Sequence, residues 1–132
     1  MASPFSTADV LAVKDDLVQQ AVPTAWRHVL RAIANAFAKQ DYGLINGVLG
    51  VEPVPSELAD QIQNSIYEYG ATLVELPDQT WESSVCMWYR THWDVLVDLW
   101  TQEEGRSDLV LSVSVTEMPS GFGFRLHMVY VP

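Results

Sequence analysis

Residues 96–115, "LVDLWTQEEGRSDLVLSVSV", place two apolar runs on either side of a short charged loop. Before the loop, Trp93, Val95, Val97 and Leu99 alternate with Asp94, Leu96, Asp98 and Trp100. After it, Leu109, Leu111, Val113 and Val115 alternate with Val110, Ser112 and Ser114. A period of two puts successive side chains on opposite faces of a strand. The loop, Glu103-Glu104-Gly105-Arg106-Ser107-Asp108, holds three acids, one Arg and one Gly. The stretch therefore reads as an antiparallel hairpin, with Gly105 supplying positive φ in the turn. Six polar residues in succession cannot be buried without partners, so the tip is expected to be exposed.

The same period extends outward from the hairpin. Pro119-Ser120-Gly121 is a turn, and the run after it sets Phe122, Phe124, Leu126, Met128 and Tyr130 opposite Arg125, His127 and Val129. Upstream, Trp81 to Arg90 reads as a strand with Trp81, Val85, Met87 and Tyr89 on one face. Glu82, Ser84, Cys86 and Trp88 lie on the other. "ATLVEL", residues 71–76, reads as a short strand closed by Pro77-Asp78.

Before Gly70 the period is helical. Ser6-x-x-Asp9 resembles a capping box, followed by Val10, Val13, Leu17 and Ala21 at helical spacing. Pro23 ends that segment, and Thr24 is placed to cap a second helix whose stripe is Trp26, Val29, Leu30, Ile33 and Phe37. "YGLINGVLGVEPVP", residues 42–55, carries three Gly and two Pro and is a loop. Ser56 would cap a third helix with Leu58, Ile62, Ile66 and Tyr69 on its buried face and Gly70 as its stop. The fold class is thus α+β. Three N-terminal helices pack on one face of a four- to five-stranded antiparallel sheet, in a single domain over residues 1–132. The opposite face would carry Asp94, Asp98, Ser112, Ser114, Thr116, Arg125 and His127.

Composition narrows the function. Seventeen acids against seven Lys plus Arg give a formal net charge of −10. Such a surface repels phosphate backbones and anionic membranes and attracts a basic protein or a cationic ligand. "MASPFSTADV" has neither the basic nor the apolar part of a signal peptide, and the lone Cys86 has no disulfide partner, so a cytoplasmic protein is expected. Residues 1–132 contain no apolar run of membrane-spanning length.

The residues that could carry chemistry are few. Glu103, Glu104 and Asp108 could form a solvated turn, a docking tip or a hard-cation site, although their spacing matches no calcium loop. Asp94 and Asp98 share a strand face about 13 Å apart by strand rise, too far for a two-carboxylate glycosidase pair. His28, His92 and His127 are scattered, with His28 on the exposed side of its helix. Cys86 lacks the basic or helix-N-terminal setting of a thiolate. No cofactor motif is present. Trp88 and Trp100, on the face opposite Trp81 and Trp93, could anchor an interface or pack under a neighbouring segment.

"HWDVLVDLWTQEEGRSDLVLSVSVTE" (92–117), "VPTAWRHVLRAIANAFAKQDY" (22–42) and the terminal "VYVP" together resemble a family of small acidic bacterial proteins of unknown function. The resemblance covers most of the chain. By analogy with other small acidic bacterial proteins it implies an immunity-type inhibitor that neutralises a cognate toxin, and no enzyme activity. In that reading Glu103, Glu104, Arg106, Asp108, Asp94 and Asp98 would meet a basic cleft, with Trp88 and Trp100 as anchors. The helical half also loosely resembles nuclear transport factor two relatives, in which helices cover a curved sheet around a pocket. The alternative that follows is a small-molecule-binding or simple enzymatic domain using Asp94, Asp98, Arg125 and His127. The usual Asp/His pairing of those relatives is not evident here.

Overall fold

The alternation in residues 93–115 is the centre of the structure, a computed structural model that describes residues 9–16 and 18–132. In chain order the elements are β1 (Gln20–Ala21), α1 (Arg27–Ala38), α2 (Ser56–Tyr69), β2 (Val85–Trp88), β3 (Trp93–Thr101), β4 (Gly105–Met118) and β5 (Gly121–Tyr130). Single 3-10 turns form at Thr24–Trp26 and Asp78–Glu82. The five strands make one antiparallel sheet in the order β1-β2-β3-β4-β5. The expected α+β class holds, with two α-helices among the described residues rather than three.

Trp93, Val95 and Val97 of β3 stand opposite Val115, Val113 and Leu111 of β4, and all six are buried. The stripes of α1 (Val29, Leu30, Ile33, Phe37) and α2 (Ile62, Ile66) join them in one core. Trp26 anchors its aromatic end. Its ring meets Trp93 at 5.2 Å and Phe122 at 5.3 Å, both edge-on, the arrangement that aromatic quadrupoles favour.

The expected first helix does not form over the described part of its span, residues 9–16 and 18–21. Asp9 to Asp15 are neither helix nor strand and Asp16 makes an isolated bridge to Trp88, and the backbone groups of Val10 and Val13 bond elsewhere. The Val10 N–H donates to Thr24 Oγ1, the Thr24 N–H donates to the Val10 carbonyl, and Trp93 Nε1 donates to the Val13 carbonyl. Thr24 therefore fastens this strap and does not cap α1, and Ser56 opens α2 without a side-chain cap. Ser6 and Leu17 lie outside the described residues. Gly70 does end α2, in the left-handed region at φ 80°.

Two phase errors correct the expected strands. Trp81 sits in the 3-10 turn, not in a strand, so counting by twos from it inverts β2. Cys86 opposes Val95 and Trp88 opposes Trp93, which puts Cys86 and Trp88 on the core face and Val85 and Met87 on the other. In β5 a bulge at His127 shifts the register between Ser112 and Val113. Phe122, Phe124 and Leu126 face the core, after which Val129 does, and Met128 and Tyr130 move to the open face.

"ATLVEL" makes only an isolated bridge, Leu73 to Thr101, but its backbone completes the β3 edge. That edge is closed in three ways. β2 pairs with residues 93–96. The Thr80 and Ser84 hydroxyls take the Asp98 carbonyl and N–H at 2.7 and 3.0 Å. Val74 N–H donates to the Trp100 carbonyl, and Gln102 N–H donates to the Thr72 carbonyl. On the far side the Gln61 amide of α2 donates to the Val129 carbonyl at 2.8 Å, and residues 50–52 pair with Phe124. Few unpaired edge groups remain to recruit another strand. Among the described residues no helix is long and apolar enough to cross a membrane.

Candidate functional site

The hairpin tip is exposed as expected, apart from Ser107, yet two of its three acids are occupied. The Glu103 carboxylate accepts the Thr72 N–H at 2.9 Å and the Thr72 hydroxyl at 3.1 Å. Those backbone donors, Thr72 first and then Glu103's own N–H, hold its carboxyl below the usual carboxylate range. The Tyr69 hydroxyl donates to Glu104, which raises the Tyr69 phenol, and the Tyr69 hydroxyl oxygen accepts the Asp108 N–H at 3.1 Å. The tip is thus clasped to the C-terminal end of α2. Ser107 is buried with both needs met, donating to the Leu99 carbonyl at 2.7 Å and accepting the Leu109 N–H at 3.1 Å. Arg106 stands opposite Trp100, and the two line a hollow of about 260 Å³ with Gln79, Glu82 and Ser83.

The other expected anchors separate. Trp88 packs at 4.5 Å on Trp93 and carries the Lys14 ammonium over its outer ring face, so it belongs to the core rim. Asp98 bonds the Ser83 hydroxyl. Asp94 meets His92 Nε2 at 3.2 Å, toward the other end of β3. A hollow of about 380 Å³ on the open sheet face gathers Glu52, Thr91, His92, Ser114, Thr116, Arg125 and His127. It brings His127 and Arg125 together but not Asp98, and Glu52 already bonds Arg125 at 3.2 Å. Among the described residues no three His, Cys, Asp or Glu side chains are grouped to hold a metal. Cys86 is buried, and burial pushes its thiol up to about 11, so it packs rather than reacts.

The residues that stand out were not singled out from the sequence. Leu49 is 96% exposed, Ile45 88% and Tyr67 70%. Ile45 and Leu49 lie on the loop between α1 and α2, and that loop is tightly held. Leu44 is buried in the left-handed region at φ 50°, Asp41 Oδ1 accepts the Ile45 N–H at 2.9 Å, and Gly47 N–H returns to the Leu44 carbonyl. From Gln40 to Tyr89 the chain has eight acids and no Lys, Arg or His. The signal was present in "GLINGVLG": aliphatic residues between turn glycines, in phase with neither helix nor strand.

A hollow of about 310 Å³ lies where α1 and α2 both end, lined by Phe37, Tyr42, Ile66, Tyr67, Gly70 and Thr72 among others. The Tyr42 and Phe37 rings lie 6.1 Å apart. Burial, and then the nearby Tyr67, raise the Tyr42 phenol above its ordinary value.

No curated protein and no solved structure matches the chain significantly. A family model does, over residues 34–132, from the last part of α1 through β5. The chain therefore belongs to the family described as Domain of unknown function (DUF7668).

Proposed function

We propose that this domain works by binding a basic protein, in the manner of an immunity-type inhibitor that occupies the cleft of a bacterial toxin. The observation that carries the reading is the near-complete exposure of Ile45 and Leu49 on a tightly bonded loop. An aliphatic side chain held in water by a folded loop gains about 1.5–3 kcal/mol when a partner buries it. The surrounding fifty-residue stretch without a base supplies the charge that would draw a basic surface in and turn an acidic one away. The docking face moves accordingly, from the hairpin tip and Trp88 to the loop and the exposed side of α2. Asp41 bonds within the loop, and Glu57, Asp60 and Glu68 are exposed on α2 and make no ion pair among the described residues.

The test is co-expression with the product of the adjacent gene, reading host growth and, with purified proteins, affinity by calorimetry. Wild-type protein should protect and bind. Ile45→Ser combined with Leu49→Ser should do neither while keeping its circular dichroism. Full protection by the folded double variant removes this face from the reading.

A second reading rests on the open-face hollow, where Arg125, His127 and His92 converge. It is a small-molecule site in which Arg125 would hold a carboxylate once freed from Glu52, an exposed pairing of low strength. Arg125→Gln with His127→Gln should leave protection intact under the first reading and abolish function under the second.

A further inference from the structure

The hollow at the two helix ends has a chemical character of its own. α1 stops at Ala38 and α2 at Tyr69, and residues on both sides of these stops line it. A helix C terminus carries about half a negative charge on its unpaired carbonyls, felt within the last turn. Here the carbonyls of Tyr67, Glu68 and Tyr69 accept no backbone N–H among the described residues, since Gly70 returns only to Ile66. At the end of α1 the Asn35, Ala36 and Phe37 carbonyls are taken by the N–H groups of Lys39, Gln40 and Asp41, so the open carbonyls at the hollow are those of α2. Tyr42, Tyr67 and Phe37 add aromatic rings, whose faces attract a cation within about 6 Å. No Lys or Arg is among the lining residues. The charged groups adjoining it in the chain are Lys39 and Asp41 after α1 and Glu68 in the last turn of α2.

From this juxtaposition of the open α2 C terminus, two tyrosines and a lining without Lys or Arg, we infer that the hollow receives one cationic side chain, an arginine guanidinium, of the basic partner. This rests on the docking face proposed above and makes the hollow its specificity pocket. A planar guanidinium stacks on a phenol ring and spreads its N–H donors toward several carbonyls at once, which an ammonium does less well.

The probe is Nα-acetyl-arginine amide titrated into the full chain, followed by the backbone amide shifts of Gly70, Ala71 and Thr72. The neutral citrulline analogue is the control. Saturable shifts at these three residues are expected, with the citrulline analogue at least about tenfold weaker and Tyr67→Ala lowering affinity about fivefold. Tyr67 is mostly exposed, so this variant keeps the fold. Equal binding of the citrulline analogue overturns the inference, as do shifts centred on the Arg125 hollow or none at all. The docking reading fails separately, if Ile45→Ser with Leu49→Ser leaves the partner bound.

Discussion

The three-residue tip between β3 and β4 and the seventeen-residue loop between α1 and α2 both bear acids beside turn glycines, yet they expose opposite things. At the tip, Glu103 and Glu104 turn inward to Thr72 and Tyr69, and the acids become fasteners. In the loop, Asp41 fastens Ile45 by its backbone while the Ile45 side chain is left in water. A carboxylate in water is well solvated and readily trades water for a nearby N–H. An aliphatic side chain has no such local remedy, and only another apolar surface can cover it. Charge density alone thus singles out the tip, whereas the hydrogen-bond partners show that Glu103 and Glu104 there are already engaged within the fold.

The largest effect expected is on the loop. Ile45→Ser with Leu49→Ser should cost about 2–4 kcal/mol of partner affinity by calorimetry, the range for a central anchor. Its stability in urea should stay within about 0.5 kcal/mol of wild type, as for other surface changes. If stability falls and affinity does not, the two regions have exchanged roles.

Next comes the clasp. Tyr69→Phe deletes the hydroxyl that donates to Glu104 and accepts from Asp108 N–H. Two hydrogen bonds at about 0.5–1.5 kcal/mol each put the loss of stability at roughly 1–3 kcal/mol, with partner affinity unchanged. A tip that docked would show the reverse.

The rim acids come third. Reversing Glu57, Asp60 or Glu68 to Lys should each lower affinity by less than about 1 kcal/mol, mainly through a slower on-rate in stopped flow. The wild-type on-rate should itself fall as salt rises and the Debye length shortens to about 3 Å at 1 M. The same reversal at Glu103 should leave the on-rate far less affected.

The smallest effect is in the acid titration of stability. Glu103 has a folded-state pKa below its ordinary value of 4.5. Its contribution is complete above the unfolded value and is lost as pH falls through the lower folded one. Glu103→Gln should flatten the denaturation midpoint across that acid window and leave its slope near neutral pH alone. An unaltered acid limb would mean that the Thr72 clasp does not hold in solution.

β3 and α1 were legible because one periodicity runs through each and burial follows it, while β4 keeps the alternation from Leu111 to Val115 but buries Val110 out of phase, beside the register shift at Asp98–Trp100. Residues 9–16 were misread because Val10 and Val13 satisfy a helical spacing while their backbones bond Thr24 and Trp93, partners remote in sequence. The inverted faces of β2 and the end of β5 share one cause. Period two survives only until a turn or bulge adds a residue, as the 3-10 turn before β2 and His127 do. Of the expected site, the exposed tip was legible and its clasp to α2 was not, since nothing local marks Thr72 and Tyr69 as partners of Glu103 and Glu104. Trp88 looked like a surface anchor only while its strand was out of phase.

The element order also sets a timetable. Both helices precede all of β3, β4 and β5 in the chain. At a synthesis rate of about 5–20 residues per second, the sixty-one residues from Tyr69 to Tyr130 take roughly 3–12 s to appear. Through that interval Leu30, Ile33, Phe37, Ile62 and Ile66 have been made, and the strands that will cover them have not. Hairpins then close in about 1–10 μs, so the delay belongs to translation and not to the search for the fold. The nascent chain is most exposed to chaperones, and to its own neighbours on a polysome, while the ribosome crosses the codons for β3 to β5.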